Sequence, residues 1–182
     1  MLNITNLQPI SINNLIRIGR DNDGGYIIPK VIIDKCDGLI SYGINKDWSF
    51  EVDFLERRNN INVHCHHKAI NTNFEFKGLA HNQIIAIGNE IIIAIYTPGH
   101  FIDSMCFWNK KRKCLFTGDT MFVGRPGRTV SKNSNIKDLY LSTYKKILTL
   151  PNDTIVYPGH HYGFKKSISI KENIEMSNFF NC

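Results

Sequence analysis

The hydrophobic positions along the chain come in short runs broken by turn signals, and they change character about a third of the way along. In the first third, Asp21-Asn22-Asp23-Gly24-Gly25 stands between apolar pairs and predicts a hairpin. Gly38-Leu39-Ile40-Ser41-Tyr42 predicts a strand ending at Gly43, with a loop from Gly43 to Trp48. Ser49 is placed to cap a helix whose buried positions are Phe50, Val52, Phe54 and Leu55. Asn59-Asn60 ends that helix, and Ile61 to Cys65 predicts a second strand. A strand–loop–helix–strand unit of this kind opens a doubly wound sheet.

The second part, from about residue 67, is richer in strands. Gln83 to Gly88 and Glu90 to Tyr96 predict two strands around a Gly88-Asn89 turn. Ser104 to Trp108 and Cys114 to Thr117 predict a further hairpin, and the basic run Lys110-Lys111-Arg112-Lys113 reads as its solvated tip. Asn135 is placed to cap a helix over Ile136 to Leu148, with an apolar face of Ile136, Leu139, Tyr140, Tyr144, Ile147 and Leu148. Asp153 to Tyr157 predicts a strand, and Ser167 to Phe180 a last helix.

Three of the predicted strand ends carry a residue that can bind a metal. They are His100 after Thr-Pro-Gly, Asp119 in Gly-Asp-Thr, and His160 after Tyr-Pro-Gly. A side chain at a strand-to-turn junction projects into a site while its backbone is held. Two imidazoles and a carboxylate suit zinc, and equally the facial triad of a non-haem iron centre.

Thr97 to His100, Phe116 to Thr129 and Val156 to Gly163 resemble the metallo-β-lactamase fold, most closely its glyoxalase II and persulfide dioxygenase branch. The resemblance covers residues 67–182 and implies an αβ/βα sandwich with metals at one edge of its sheets. It implies His100 as a ligand of a first metal, Asp119 as the catalytic bridge between two metals, and His160 as a ligand of the second. Arg125 and Arg128 fall where that branch contacts a glutathione-type substrate, and Lys165 or Lys166 could pair with substrate carboxylates. The implied cofactor is zinc, one or two ions, with iron possible. The implied reaction is hydrolysis of a thioester such as a hydroxyacylglutathione, and the partner an anionic, thiol-derived small molecule. Persulfide oxidation at a single iron held by His64, His100 and Asp119 is the alternative within the branch.

The sequence departs from that family at its earlier motif, His-x-His-x-Asp-His. His64-Cys65-His66-His67-Lys68-Ala69 keeps the His-x-His, so His64 and His66 are candidate ligands, but Lys68 and Ala69 stand where Asp and His belong. Arg17 to Tyr26 and Ser41 to Glu51 instead resemble the opening of FkbM-type, S-adenosylmethionine-dependent methyltransferases. There the 43–48 loop would approach the cofactor, and His66 or His67 occupies the place of the acidic residue that would hold its ribose. The expected architecture is therefore α/β: a Rossmann-like β-α-β fragment over residues 1–66, then a partial metallo-β-lactamase sandwich over 67–182. Such a fusion would be weakly active or inactive alone, and prone to self-association.

Composition adds limits. Of 182 residues, 22 are Lys or Arg and 16 are Asp or Glu, a net charge of +6 that suits an anionic substrate without specifying one. No aromatic residues interleave the basic run, so nucleic acid is not an expected partner. The apolar run Ile91 to Tyr96 is far short of the roughly 20 residues of a membrane span, and residues 1–20 lack a basic segment followed by an apolar one. The five cysteines are irregularly spaced, with no Cys-x-x-Cys, which argues against a disulfide framework and suits a reducing cytoplasm.

Overall fold

The computed structural model describes residues 14–21, 26–41, 49–65 and 78–181. The chain divides into two compact units, Met1–Gly78 and Leu79–Cys182.

In the first unit, β1 (Leu15–Ile18) and β2 (Tyr26–Pro29) pair antiparallel, Leu15 opposite Pro29 and Ile18 opposite Tyr26. A short helix that the apolar pattern did not announce, α1 (Lys30–Lys35), follows directly and buries Ile33. β3 (Gly38–Ser41) and β4 (Asn62–Cys65) pair in parallel, with α2 (Ser49–Arg57) between them in the chain. Ile18, Ile33 and Phe54 form the core, packed round by Ile16, Ile28, Leu39 and Phe50. On α2 the pattern is corrected at two positions. Val52, expected inside, is exposed, whereas Glu51 is buried and accepts a hydrogen bond from Ser41 Oγ. That bond satisfies the carboxylate and makes its burial tolerable. Among the described residues the parallel pair stands alone, without the further strands of a doubly wound sheet. The 43–48 loop, His66 and His67 lie outside the described residues, and of His64 only the backbone is described, opposite Ile40 in β4.

The second unit is built on a six-stranded sheet. Its strands are β5 (Gln83–Ile87), β6 (Glu90–Tyr96), β7 (Met105–Asn109), β8 (Cys114–Gly118), β11 (Ile155–Pro158) and β12 (Ile168–Ser169), in the spatial order β12-β11-β8-β7-β6-β5. A two-stranded ribbon, β9 (Met121–Phe122) with β10 (Arg125–Pro126), follows β8. α3 (Ile136–Ser142) comes next, and α4 (Ile170–Met176) follows β12. Among the neighbours in the large sheet, β11 and β8 are parallel and the other pairs antiparallel, so the sheet is mixed. Period-2 alternation decides which side is covered. Leu115 is wholly buried while Phe116, next to it, is 44% exposed. Cys106, Leu115 and Val156 from the sheet pack with Met121, Ile147, Ile170 and Phe180 to form the core.

Two predicted helices come out differently. The single helix expected over 136–148 is α3 followed by a π-helical turn, Thr143–Ile147. The wider turn brings Ile147 into line with Leu139, and both are buried, while Ile136 and Tyr140, expected on the same face, are exposed. The expected helix over 167–180 begins as β12, because Ile168 pairs with Val156, and only then becomes α4, capped by Ser169 Oγ accepting from Glu172 N at 3.1 Å. Among the described residues no helix is long and apolar enough to cross a membrane.

The basic hairpin tip is tied down by carboxylates. Glu90 accepts from Arg112 Nη2 at 2.6 Å, Arg112 Nε at 2.9 Å and Asn109 Nδ2 at 3.0 Å, and Lys113 Nζ lies 2.5 Å from Asp153. These bonds hold the Glu90 carboxyl at about 2, below its usual 4.5. A lowered folded-state value means the stabilisation is complete above about 4.5 and is lost as the pH falls through about 2. Glu90→Gln is therefore expected to lower the urea midpoint relative to wild type at pH 6, with the gap closing as the pH approaches 2. Denaturation curves of both chains across that range check it, and a gap independent of pH would contradict it.

Candidate functional site

The strand directions bring the three candidate ligands together. β6 runs opposite to β7, β7 opposite to β8, and β11 parallel to β8, so β6, β8 and β11 all point the same way. Their carboxyl ends share one edge of the sheet, where a strand-borne site is expected in α/β folds. His100 follows β6, Asp119 follows β8, and His160 follows β11. Gly159 N donates to Gly118 O at 2.9 Å and joins the ends of β8 and β11.

Each junction is held locally. Before His100, Gly99 has φ +135°, and a Cβ there would lie 2.2 Å from Leu139 N, so only glycine lets α3 pack against this turn. After Asp119, Thr120 N donates to Thr117 O at 3.0 Å, while Thr117 Oγ1 donates to Met121 O at 2.7 Å. Gly127 folds back over the same residue. Its N–H donates to Thr120 O at 3.1 Å, and a Cβ on it would stand 1.9 Å from Asp119 O.

The Asp119 carboxylate lies between the two imidazoles. His160 Nδ1 is 2.8 Å from Oδ1, and His100 Nε2 is 3.6 Å from Oδ2. A carboxylate accepts, so His160 donates from Nδ1. His100 Nδ1 is 2.8 Å from Arg128 O and must likewise donate to that carbonyl, which leaves Nε2 of a neutral ring as the lone-pair nitrogen facing Asp119. A histidine anchored by a carbonyl at one nitrogen and open at the other has the arrangement usual for a metal ligand.

His100 and Asp119 open on a cavity of about 570 Å³ lined also by Phe122, Arg125, Arg128, Tyr162 and Phe179. Arg125 places its guanidinium 5.3 Å above the Tyr162 ring, and Tyr162 stacks on His160 with ring centres 5.2 Å apart and planes 4° from parallel. Phe122 meets Tyr162 edge-on at 5.1 Å. Arg125 and Arg128 thus line the cavity with His100 and Asp119. Lys165 is engaged elsewhere, in an ion pair with Glu172 and over the Phe164 ring, and Lys166 does not line the cavity. Cys106, just below the Thr97 end of β6, is wholly buried; burial pushes its thiol up to about 11, so it is no nucleophile at neutral pH.

The donor set bears directly on an implied metal. His100 Nε2 and Asp119 Oδ2 are separated by a distance that two bonds of about 2.0–2.2 Å to one ion can span. Their chemistry suits zinc or iron. His160 addresses the other carboxylate oxygen, and among the described residues no group of three His, Cys, Asp or Glu is gathered for one ion. The fit is to a single ion held by His100 and Asp119, with His160 orienting the carboxylate.

Four residues important to this arrangement had no role assigned from sequence. Tyr162 and Phe122 stood inside the resembling motifs, and Phe179 lies outside them. Asn173 is wholly buried on α4, with Nδ2 donating to Phe122 O at 3.1 Å and Oδ1 accepting from Gly124 N at 2.6 Å. A polar residue between Ile170 and Ile174 on an apolar helix face was its signal. Ser177 Oγ adds a bond to Gly124 O at 2.7 Å, so α4 holds the ribbon that floors the cavity.

Comparison with known proteins gives four matches of note. Residues 81–160 match the model of the Metallo-beta-lactamase superfamily. A hydroxyacylglutathione hydrolase from Francisella philomiragia subsp. philomiragia is 33% identical over 105 residues, covering 56% of this chain and 41% of that protein. A probable polyketide biosynthesis zinc-dependent hydrolase from Bacillus velezensis is 32% identical over 102 residues, covering 56% and 44%. The crystal structure of ETHE1 from Myxococcus xanthus superposes with a TM-score of 0.63 at 24% identity, over 90% of this chain and 77% of that one, which is a likeness of fold. The chain spans about two fifths of the length of these curated relatives.

Replacing Asn173 by alanine leaves the Gly124 N–H and the Phe122 carbonyl without their buried partner. The expected loss is about 2–4 kcal/mol of unfolding free energy, read from urea denaturation.

Proposed function

From the match of residues 81–160 to the model of the Metallo-beta-lactamase superfamily, we propose that the chain carries the metal-binding and substrate-anchoring part of a thioester hydrolase acting on a hydroxyacylglutathione. The observation that carries this reading is the placement of His100, Asp119 and His160 at one sheet edge, with His100 and Asp119 in a cavity that also presents two arginines. A relative named as a hydroxyacylglutathione hydrolase supports the substrate class, and one named as a zinc-dependent hydrolase supports the metal.

His100 and Asp119 hold the ion, zinc or iron. When bound, such an ion polarises the thioester carbonyl and brings the pKa of water to about 7. The remaining work belongs to the chain. Arg128 and Arg125 take the carboxylates of the thiol-derived moiety through charge-assisted hydrogen bonds, which fixes where the acyl group falls. Tyr162 and Phe122 wall that position and keep bulk water from it. His160 holds Asp119 in one orientation through its Nδ1–H. The N-terminal unit, with its FkbM-like segments, serves in this reading as structure and not as a site for S-adenosylmethionine.

One observation favours a second reading, in which the chain alone binds one ion or none and turns nothing over. Among the described residues, no three donors converge on one ion. Hydrolysis assays of a 2-hydroxyacyl glutathione thioester by the full chain, loaded with zinc or with iron, separate the two. Hydrolysis above the metal-only control is expected, lowered more than about 100-fold in kcat/KM by Asp119→Ala, since even outer-shell changes typically cost 10–100-fold. Arg128→Ala is expected to raise KM by roughly tenfold with kcat little changed. No turnover with either metal would establish the second reading.

A further inference from the structure

The turn that carries His100 is held from behind by a single helical segment. Tyr96 O accepts from Lys146 Nζ at 2.6 Å, Pro98 O from Ser142 Oγ at 2.6 Å, and Gly99 O from Asn135 N at 2.8 Å. The three donors run from the cap of α3 into the π-helical turn, and between them they take three of the carbonyls from residue 96 to residue 99. Ser142 is buried and Lys146 half-buried. The Lys146 ammonium also sits 5.4 Å above the Tyr96 ring, and burial lowers its pKa from the usual value. A lysine ammonium drawn partly out of water is costly unless it is hydrogen-bonded, and the Tyr96 carbonyl supplies that bond.

The helix departs from regularity at this same place. Leu148 N reaches back to Thr143 O at 2.9 Å, and the buried Thr143 Oγ1 is left without a hydrogen-bond partner. Single π-turns are uncommon and frequently mark functional sites. Here the irregular turn contains Lys146 and begins one residue after Ser142. None of the three donor residues lines the cavity.

We propose that Lys146, seconded by Ser142, is a positioning residue for His100. It holds the end of β6 so that His100 keeps Nδ1–H on Arg128 O and its Nε2 lone pair toward Asp119. The inference rests on the reading of His100 as a ligand, but the ring's tautomer can be observed without any metal. The test uses Lys146→Met, which keeps the stem and removes the donor, Lys146→Arg, which keeps a donor, and Ser142→Ala. Circular dichroism establishes that each full-length chain is folded. Nitrogen-15 spectra of the histidine rings in the metal-free protein report the His100 tautomer, and competition with a chelator reports zinc affinity.

Wild type and Lys146→Arg are expected to show one His100 tautomer, protonated at Nδ1. Lys146→Met is expected to show a mixture of tautomers and zinc binding weaker by about 10–100-fold, the usual cost of losing an outer-shell support, with Ser142→Ala falling between. A folded Lys146→Met chain with the wild-type His100 spectrum would overturn the proposal, as would wild-type zinc affinity in that variant. If Lys146→Met does not fold, Ser142→Ala decides by the same two readouts. If wild type itself binds no zinc, the ligand reading fails, and the tautomer comparison still decides whether Lys146 positions His100.

Discussion

One carboxylate sits between two imidazoles at the end of a sheet. Asp119 accepts from His160 at one oxygen and faces the lone pair of His100 at the other. That sharing requires three strand ends within hydrogen-bond reach of one another, and therefore three strands running the same way. The mixed order of the sheet supplies this. β7 returns the chain between β6 and β8, and the long connection through α3 lets β11 lie parallel to β8. Had β11 paired antiparallel, its carboxyl end and His160 would stand at the opposite edge, beside Glu90 and the basic tip.

Around that arrangement the fold acts as a set of clamps on short turns. α3 and the π-turn hold the β6 end from one side, through Ser142 and Lys146. From the other, α4 holds the ribbon that leads to Arg125, through Asn173 and Ser177. The far edge of the sheet is stitched separately by the Glu90–Arg112 and Lys113–Asp153 pairs. Site and stitching are thus placed at opposite ends of the same strands. The charges at the basic tip serve the sheet and leave the cavity to Arg125 and Arg128.

Much of the second unit was legible in sequence because its signals are local. Alternating apolar residues gave the strands, and a glycine turn after each of three strands marked where a side chain would project. What was hidden depends on distant partners. Glu51 reads as a solvated helix residue until Ser41, ten positions earlier, meets it. The 136–148 segment has a helical period throughout, and only packing of the buried Thr143 and Ile147 shows that the period widens within it. Asn173 reaches a ribbon about fifty residues earlier in the chain, which no window of sequence connects. The Rossmann-like expectation met a limit of another kind. A parallel pair with an intervening helix is present, but among the described residues no further strand joins it to make a doubly wound sheet.

The chemistry of this site depends on whether His100 and Asp119 hold a metal ion together. Elemental mass spectrometry of the purified full chain, with His100→Ala and Asp119→Ala prepared in parallel, measures this most directly. The expected result is about one zinc or iron per wild-type chain, held by His100 and Asp119, and loss of that metal in both variants. A wild-type chain without stoichiometric metal, or variants that keep it, would contradict the account.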